Sequence, residues 1–250
     1  NGSRENNPDD PVVILIHGAG LDRTIWQMQT RNIAFQGRRV FAVDLPGHGY
    51  SDGPLLPTIE EMAHWLTQFM KVAEVNCATI MGHSMGSLIA LDLAARYPAH
   101  VEKLILTGVA EAMPVHPELM GAADANEPLA SELIVYWGLG EKAQTGGHPL
   151  PGLWVHGASE VLLKNANLGV LANDLAACDG YGDAKEKASK ITCPTYFVLG
   201  RDDKMTPVKS GKRLAKMIEG AQVSVLDRCG HMMMIERPNE MFHALRPVIF

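Results

Sequence analysis

A serine stands between two glycines in residues 82–86, which read Gly-His-Ser-Met-Gly and separate two apolar stretches. A chain that reverses this tightly between a strand and a helix strains the serine backbone, and a Cβ two residues to either side would collide with neighbouring elements. The hydroxyl of Ser84 is then exposed at a helix N-terminus, where free N–H groups favour negative charge. The spacing predicts Ser84 as the nucleophile of an acyl transfer; the alternative is a glycine-rich turn with a capping serine.

A nucleophilic serine needs a base and a group that stabilises the oxyanion. His231 follows the last apolar run, at a strand's carboxyl end, where open α/β sheets place their sites, and imidazole exchanges protons near neutral pH. Residues 17–20 read His-Gly-Ala-Gly and end the first apolar run, so a backbone amide there can approach a reacting carbonyl. We predict that the backbone N–H groups of Ala19 and Met85 form the oxyanion hole, with His17 holding the loop.

Several carboxylates are candidates for the group that orients His231. Asp202 and Asp203 follow the strand-like run before that of His231, and Asp203 is favoured because it clears the strand end before the next helix, which Thr206 would cap. Glu111, past an earlier run, is the rival, and a solvated turn is the alternative for the two aspartates. The chosen carboxylate would hold the histidine in one tautomer and stabilise its cation.

The order of elements predicts how these residues are positioned. Apolar runs rich in β-branched residues are typical of strands buried on both faces of a parallel sheet, and they span residues 11–17, 39–45, 77–81, 101–109, 195–199 and 223–226. Helical periodicity falls between and after them, at residues 58–73, 88–97, 206–220 and 238–245. This alternation predicts an α/β fold with a mainly parallel sheet and helices on both faces.

Residues 111–190 break the alternation and are rich in Gly, Pro, Asn and Ala. A loop of that length inside a compact domain needs structure of its own. We therefore expect a mostly helical inserted cap at residues 111–190, between two parts of one core, residues 1–110 and 191–250.

Several motifs together resemble the α/β-hydrolase superfamily. They are residues 17–20, 44–52 (Asp-Leu-Pro-Gly-His-Gly-Tyr-Ser-Asp), 82–86, 200–203 (Gly-Arg-Asp-Asp) and 230–231 (Gly-His). The likeness is greatest to the cap-bearing group of serine esterases, enol-lactonases and carbon–carbon bond hydrolases. It implies the α/β-hydrolase fold and a Ser84–Asp203–His231 triad, in that chain order. The family usually opens with an antiparallel hairpin, so we expect this hairpin to be missing or the chain to be trimmed.

The expected substrate follows from the residues around the triad. We predict an apolar pocket, and therefore a small to medium hydrophobic carboxylic ester as the substrate; the alternative for these side chains is core packing. A carbon–carbon, lactone or amide bond cleaved by the same triad, and a non-catalytic binding module, remain open. The pocket is predicted to be lined by Leu21, His48, Trp137, Trp154 and Met232.

Composition excludes several other classes. With 22 Lys and Arg against 28 Asp and Glu, the net charge of −6 and the absence of basic runs argue against nucleic-acid binding. No apolar span reaches the roughly 18 residues of a transmembrane helix. The 4 cysteines form no Cys-x-x-Cys pair and predict neither disulfides nor a zinc site, so we expect no metal or cofactor. The first residues lack a hydrophobic signal core, and we expect a cytoplasmic protein.

Overall fold

A single parallel sheet forms the centre of the computed structural model, which describes Asn7 and residues 10–148 and 152–250. Its 6 strands run in the order β2-β1-β3-β4-β5-β6, and every neighbouring pair is parallel. The predicted parallel α/β sheet is confirmed. The strands are β1 (Val12–Ile16), β2 (Arg39–Val43), β3 (Ala78–His83), β4 (Val101–Thr107), β5 (Thr195–Gly200) and β6 (Gln222–Leu226).

Helices connect and cover these strands. In chain order they are α1 (Gln27–Phe35), α2 (Ile59–Val72), α3 (Met85–Arg96), α4 (Pro117–Asp124), α5 (Pro128–Gly138), α6 (Glu141–Gln144), α7 (Val155–Lys164), α8 (Val170–Gly180), α9 (Ala184–Ala188), α10 (Val208–Ala215), α11 (Met233–Glu236) and α12 (Pro238–Ile249). The sequence patterns predict no helix over α1, and they end the closing helix at residue 245 although it continues to Ile249. Within the described ranges, no helix has both the length and the apolar character to cross a bilayer.

Alternate strand residues point to opposite faces of the sheet, so each face has its own apolar cluster. Ile14 and Ile80 face a cluster that contains side chains of α2, α3 and α10. Leu15 and Met81 face a second cluster with side chains of α1 and α12. Helices therefore cover both faces of the sheet, as the alternating pattern predicts.

The segment from residue 111 to residue 190, here called the cap segment, lies between β4 and β5 and contains helices α4 to α9. Its apolar side chains belong to the same two clusters as the sheet: Tyr181 packs in the first and Leu119 in the second. The buried carboxylate of Asp92 on α3 also accepts a hydrogen bond from Tyr181 at 3.3 Å. The cap segment is thus mostly helical and packs directly onto the core.

The parallel register brings the functional loops to one edge of the sheet. Ile16 is paired with Gly82, and Gly200 with Leu226, so these strands end level with their neighbours. The loops that follow β1, β3, β5 and β6 leave the sheet at the same edge, as the parallel arrangement requires.

Candidate active site

Ser84 sits in a strained turn between β3 and α3, with φ of +53° and ψ of −118°. A Cβ on Gly82 would lie 2.1 Å from the carbonyl oxygen of Gly86, and one on Gly86 would lie 2.3 Å from that of Ile16. Both positions therefore require glycine. The Ser84 amide donates to the carbonyl of Thr107 at 2.9 Å, which fixes the turn against β4.

His231 is joined to Asp203 by a buried hydrogen bond of 2.8 Å between Nδ1 and Oδ2. Both side chains are almost fully buried, and His231 lines the same cavity as Ser84. The other ring nitrogen, Nε2, is buried and has no hydrogen-bond partner in the described part of the chain. Hydrogen bonds between a base and its nucleophile often tighten only when substrate binds, so this nitrogen is free to take the serine proton.

Asp203 is held by its own loop as well as by His231. Oδ1 accepts the backbone N–H groups of Met205 at 2.9 Å and Thr206 at 2.8 Å, and Oδ2 accepts the Thr206 hydroxyl at 2.6 Å. Burial opposes ionisation of this carboxyl, but the charge of His231 and the hydrogen bonds outweigh it, so the pKa of Asp203 is lowered. Asp203 is therefore an ionised partner for an imidazolium.

The other predicted roles around this loop turn out differently. Asp202 is exposed, and the Glu111 carboxylate accepts a hydrogen bond from Arg213 at 2.6 Å instead of contacting His231. The prediction that Thr206 caps the next helix is wrong, because α10 begins at Val208 with Pro207 before it. The Thr206 hydroxyl is bonded to Asp203 instead.

Two residues that sequence patterns did not single out hold the backbone of residues 230–232, the loop that carries His231. The buried carboxylate of Glu236 accepts the backbone N–H groups of Gly230 at 3.0 Å, Met232 at 3.1 Å and Gly140 in the cap segment at 2.9 Å. His83 Nε2 donates to the carbonyl of His231 at 3.0 Å. Burial and the nearby His231 lower the pKa of His83 to about 3, so its ring is neutral. The one sequence signal for Glu236 is its position five residues after His231.

The two residues whose amides are predicted to form the oxyanion hole are Met85, directly after Ser84, and Ala19. Met85 is the first residue of α3, where N–H groups have no acceptor within the helix. Ala19 lines the cavity with Ser84. The carbonyl of Gly18 accepts His17 Nδ1 at 2.9 Å, which agrees with the predicted loop-holding role of His17. The amide of Gly20 donates to Asp174 at 2.9 Å.

A cavity of about 450 Å³ opens above Ser84 and His231. Of the side chains predicted to line it, Leu21, Trp137 and Met232 do so. Lys204 is the one Lys, Arg, Asp or Glu among its described lining residues. The cap segment adds an apolar wall that contains Met113, Val115, Leu119, Ile134, Trp137 and Leu175.

The predictions that His48 and Trp154 line this cavity are wrong. His48 is buried outside it, with its ring bonded to Asp174 at 2.8 Å. Trp154 is 65% exposed and stacks on His156 at the N-terminus of α7. Gly157 permits this position, because a Cβ there would lie 2.3 Å from the indole ring.

We find no cluster of three or more His, Cys, Asp or Glu side chains suited to a metal ion in residues 10–148 and 152–250. The described polar groups at the cavity include those that acyl transfer needs, namely a hydroxyl, an imidazole paired with a carboxylate, and free backbone N–H groups. Such a set supports nucleophilic attack on a carbonyl followed by proton transfer to a leaving group.

Comparison with known proteins agrees with this architecture. The chain is 30% identical over 241 residues to 2-hydroxy-6-oxononadienedioate/2-hydroxy-6-oxononatrienedioate hydrolase of Burkholderia vietnamiensis, covering 88% of this chain and 80% of the relative. It is 27% identical over 261 residues to pimeloyl-[acyl-carrier protein] methyl ester esterase of Aromatoleum aromaticum, covering 94% and 95%.

Among solved structures, the enol-lactonase from Burkholderia xenovorans LB400 superposes with a TM-score of 0.88 at 24% identity, covering 97% of this chain and 92% of that chain. This similarity confirms the α/β-hydrolase fold. The model of the alpha/beta hydrolase family matches residues 13–245. Because this match spans almost the whole sequence, the chain belongs to the alpha/beta hydrolase family.

Proposed function

We propose that this hydrolase cleaves carboxylic esters of small to medium hydrophobic acids through an acyl-enzyme on Ser84. The observation that carries the proposal is the pairing of His231 with buried Asp203, while Nε2 has no partner among the described residues and His231 lines the same cavity as Ser84. A base in this state accepts the serine proton as the hydroxyl attacks.

In the first half of the reaction, Ser84 Oγ attacks the ester carbonyl carbon as His231 Nε2 takes the hydroxyl proton. The carbonyl electron pair moves to oxygen, and the N–H groups of Ala19 and Met85 stabilise the oxyanion. When the intermediate collapses, the carbon–oxygen bond to the alcohol breaks and the alcohol takes the proton from His231. The acyl group remains on Ser84.

In the second half, water replaces the alcohol. His231 Nε2 takes a proton from the water, whose oxygen attacks the acyl carbon. The bond to Ser84 Oγ then breaks, the serine regains its proton from His231, and the carboxylic acid leaves. Asp203 stabilises the imidazolium in both halves and keeps Nε2 directed at the reacting oxygen.

The character of the cavity supports a hydrophobic acyl or alkyl group. Met113, Leu119, Ile134 and Leu175 provide apolar surface opposite the nucleophile, and burial of apolar area is the main source of affinity in such pockets. The relative from Aromatoleum aromaticum is named as a methyl ester esterase, which agrees with ester chemistry.

A second candidate uses the same triad on a substrate that carries a carboxylate. Lys204 lines the cavity with its ammonium group 5.4 Å from the ring centroid of Tyr136. A lone cation beside an apolar cavity can bind the acid group of such a substrate. The relative from Burkholderia vietnamiensis is named as a hydrolase of a dienedioate, which is a compound of this kind.

A bond-type panel distinguishes these candidates. Turnover would be measured with p-nitrophenyl esters of increasing chain length, a lactone and a 2-hydroxy-6-oxo-dienoate. We expect kcat/KM to be highest for a short or medium ester, and Ser84→Ala to lower kcat by about 10⁴-fold or more because the nucleophile is lost. The matched control is Ser159→Ala, which removes a buried hydroxyl on α7 with no hydrogen-bond partner among the described residues.

The outcomes of the panel are distinct. A higher kcat/KM for the dienoate would replace ester hydrolysis by the second candidate, and equal turnover by the wild type and Ser84→Ala would remove Ser84 from its role. Turnover of none of these substrates, together with no reaction of Ser84 with a fluorophosphonate, would favour a non-catalytic binding module.

A further inference from the structure

A buried carboxylate that the proposed mechanism does not use lies behind residues 17–20, here called the oxyanion loop. Asp174 on α8 is completely buried, and its Oδ2 accepts two hydrogen bonds. One comes from the amide of Gly20 at 2.9 Å and the other from Nε2 of His48 at 2.8 Å. The cap segment thus provides an acceptor for the residue that follows Ala19, 154 positions away in the sequence.

The ring of His48 has acceptors at both of its nitrogens. Nε2 faces the Asp174 carboxylate, and Nδ1 lies 3.1 Å from the carbonyl oxygen of Pro46. A neutral imidazole has a single N–H and can satisfy only one of them, whereas an imidazolium donates to both. A nearby positive charge also stabilises the ionised form of a buried carboxylate. The geometry therefore assigns the charged form to His48.

The neighbouring ring of His17 has the opposite arrangement. Its Nδ1 donates to the carbonyl of Gly18 at 2.9 Å, and its Nε2 accepts the amide N–H of Leu45 at 3.2 Å. One donor and one acceptor describe a neutral imidazole. The rings of His17 and His48 are 4.8 Å apart, so a single positive charge lies between the oxyanion loop and Asp174.

We propose that His48 and Asp174 form a buried ion pair that positions the backbone N–H of Ala19 for the oxyanion, so that the cap segment helps to build the oxyanion hole. Ala19 is bracketed by two anchored residues, because the Gly18 carbonyl is bonded to His17 and the Gly20 amide to Asp174. Both residues act through the loop and are positioning residues. The proposal deepens the proposed function and rests on it.

The electrostatic surroundings agree with this assignment. Burial lowers the pKa of His48, but the hydrogen bond and charge of Asp174 outweigh burial, and the net shift is upward. Burial first, and then the charge of His48, lower the pKa of His17 to about 4. Among the described carboxylates that act on the two rings, Asp44 pairs with Arg23, and Asp174 is the one that raises the pKa of His48.

The ion pair also connects the loop to the cavity wall. Leu175 follows Asp174 directly, and Cys178 lies one helical turn further along α8; both line the cavity. Loss of the pair would let the Gly20 amide and Ala19 move while leaving the apolar wall in place. Because oxyanion contacts form only in the transition state, this loss would lower kcat with little change in KM.

The protonation of His48 is tested in the full chain by nitrogen NMR of histidine side chains at pH 7. We expect both ring nitrogens of His48, assigned with His48→Gln, to carry protons. In Asp174→Asn, His48 should lose one of its protons. A single protonated nitrogen on His48 in the wild type would overturn the ion pair, whatever the enzyme hydrolyses.

The positioning role is tested by the rate at which a fluorophosphonate labels Ser84, since this reaction also builds negative charge on an oxygen in the oxyanion hole. We expect Ser84 in Asp174→Asn to be labelled at least about tenfold more slowly than in the wild type. In ester hydrolysis, kcat should fall by a similar factor, and KM should stay within about twofold of the wild-type value. Glu160→Gln is the control, because it breaks only a surface pair with Lys164 on α7.

Labelling at the wild-type rate in a folded Asp174→Asn that has lost the His48 proton would overturn the positioning role. Failure of the wild type to hydrolyse esters, with labelling intact, would overturn the proposed substrate and leave the ion pair standing. If Asp174→Asn does not fold, His48→Gln replaces it in the labelling assay with the same expected loss.

Discussion

The two walls of the active-site cavity are built in different ways. The core wall includes Ser84, His231 and Thr206, whose positions are fixed by backbone hydrogen bonds and strand ends. The cap wall consists mostly of apolar side chains of the cap segment, such as Leu119 and Trp137 on its helices. We therefore expect changes on the core wall to alter the rate of reaction, and changes on the cap wall to alter which substrate binds.

The largest change in kcat is expected from Asp203→Asn, behind His231 on the core wall. The amide cannot hold the histidine in the required tautomer, so kcat should fall by about 10⁴-fold with KM nearly unchanged. Steady-state kinetics with a p-nitrophenyl ester measures both constants. Asp202→Asn, at the exposed neighbouring carboxylate, is the control. A rise in KM with unchanged kcat would show that Asp203 acts on binding.

Acid stability tests the same carboxylate independently. Since the pKa of Asp203 is lowered in the folded chain, its stabilising contribution is present above its unfolded value of about 3.9 and is lost as the pH falls through the folded value. Denaturant titrations should therefore show a flatter loss of stability below about pH 4 in Asp203→Asn than in the wild type.

A smaller loss is expected from Glu236→Gln, behind the core wall. In the wild type, the carboxylate accepts hydrogen bonds from backbone N–H groups. A glutamine would place an NH₂ donor against some of these N–H groups and leave them without an acceptor, so the free energy of unfolding should fall by about 1–3 kcal/mol. Because Gly230 and Met232 flank His231, kcat should fall about tenfold. The control is Glu240→Gln, at a half-exposed carboxylate on α12. Unchanged kcat would limit Glu236 to stability.

Burial raises the pKa of Glu236, although the N–H groups of Gly230, Gly140 and Met232 oppose the shift. The folded chain therefore keeps this proton to a higher pH than the unfolded chain, whose value is about 4.3. The contribution of this group to stability should decline as the pH rises from there through the folded value, and Glu236→Gln should lack that decline.

The smallest effect is expected on the cap wall. Trp137→Ala enlarges the cavity, so KM for short esters should rise by several-fold and preference should shift to longer acyl chains, with kcat changing by less than about threefold. Trp154→Ala is the matched control, because this indole is 65% exposed and outside the cavity. A loss of kcat comparable to that of Asp203→Asn would erase the distinction between the walls.

Local patterns in the sequence are sufficient for the core. The strands are continuous apolar runs, and the turn at Ser84 requires glycines that only a strand-to-helix reversal explains. The position of Asp203 opposite His231 follows from neighbouring parallel strands. By contrast, α1 escapes periodicity because Gln29 occupies its buried face and donates to the Met234 carbonyl at 2.9 Å.

The remaining features depend on contacts between distant parts of the chain. His48, Asp174 and Glu236 are buried polar groups whose partners lie in other segments, and no local spacing distinguishes them from surface residues. Trp154 is of a residue type common in pockets, yet its indole lies on the outer surface, in space that Gly157 leaves open. The likeness to known proteins does not identify the acyl or alkyl group, which depends on the side chains of the cap wall.

The cap segment begins and ends at strands that lie side by side, since Thr107 of β4 is paired with Val198 of β5. Because the two strands are parallel, the chain must cross back over the sheet before β5 begins. The sheet sets no upper limit on the length of the insertion, and caps could be exchanged between related enzymes without changing strand register. A transplanted cap would also have to make two contacts with the core. It must supply a counterpart of Gly138, whose carbonyl accepts the His231 amide at 2.5 Å, and of Asp174, or the transplanted cap would change specificity at the expense of turnover.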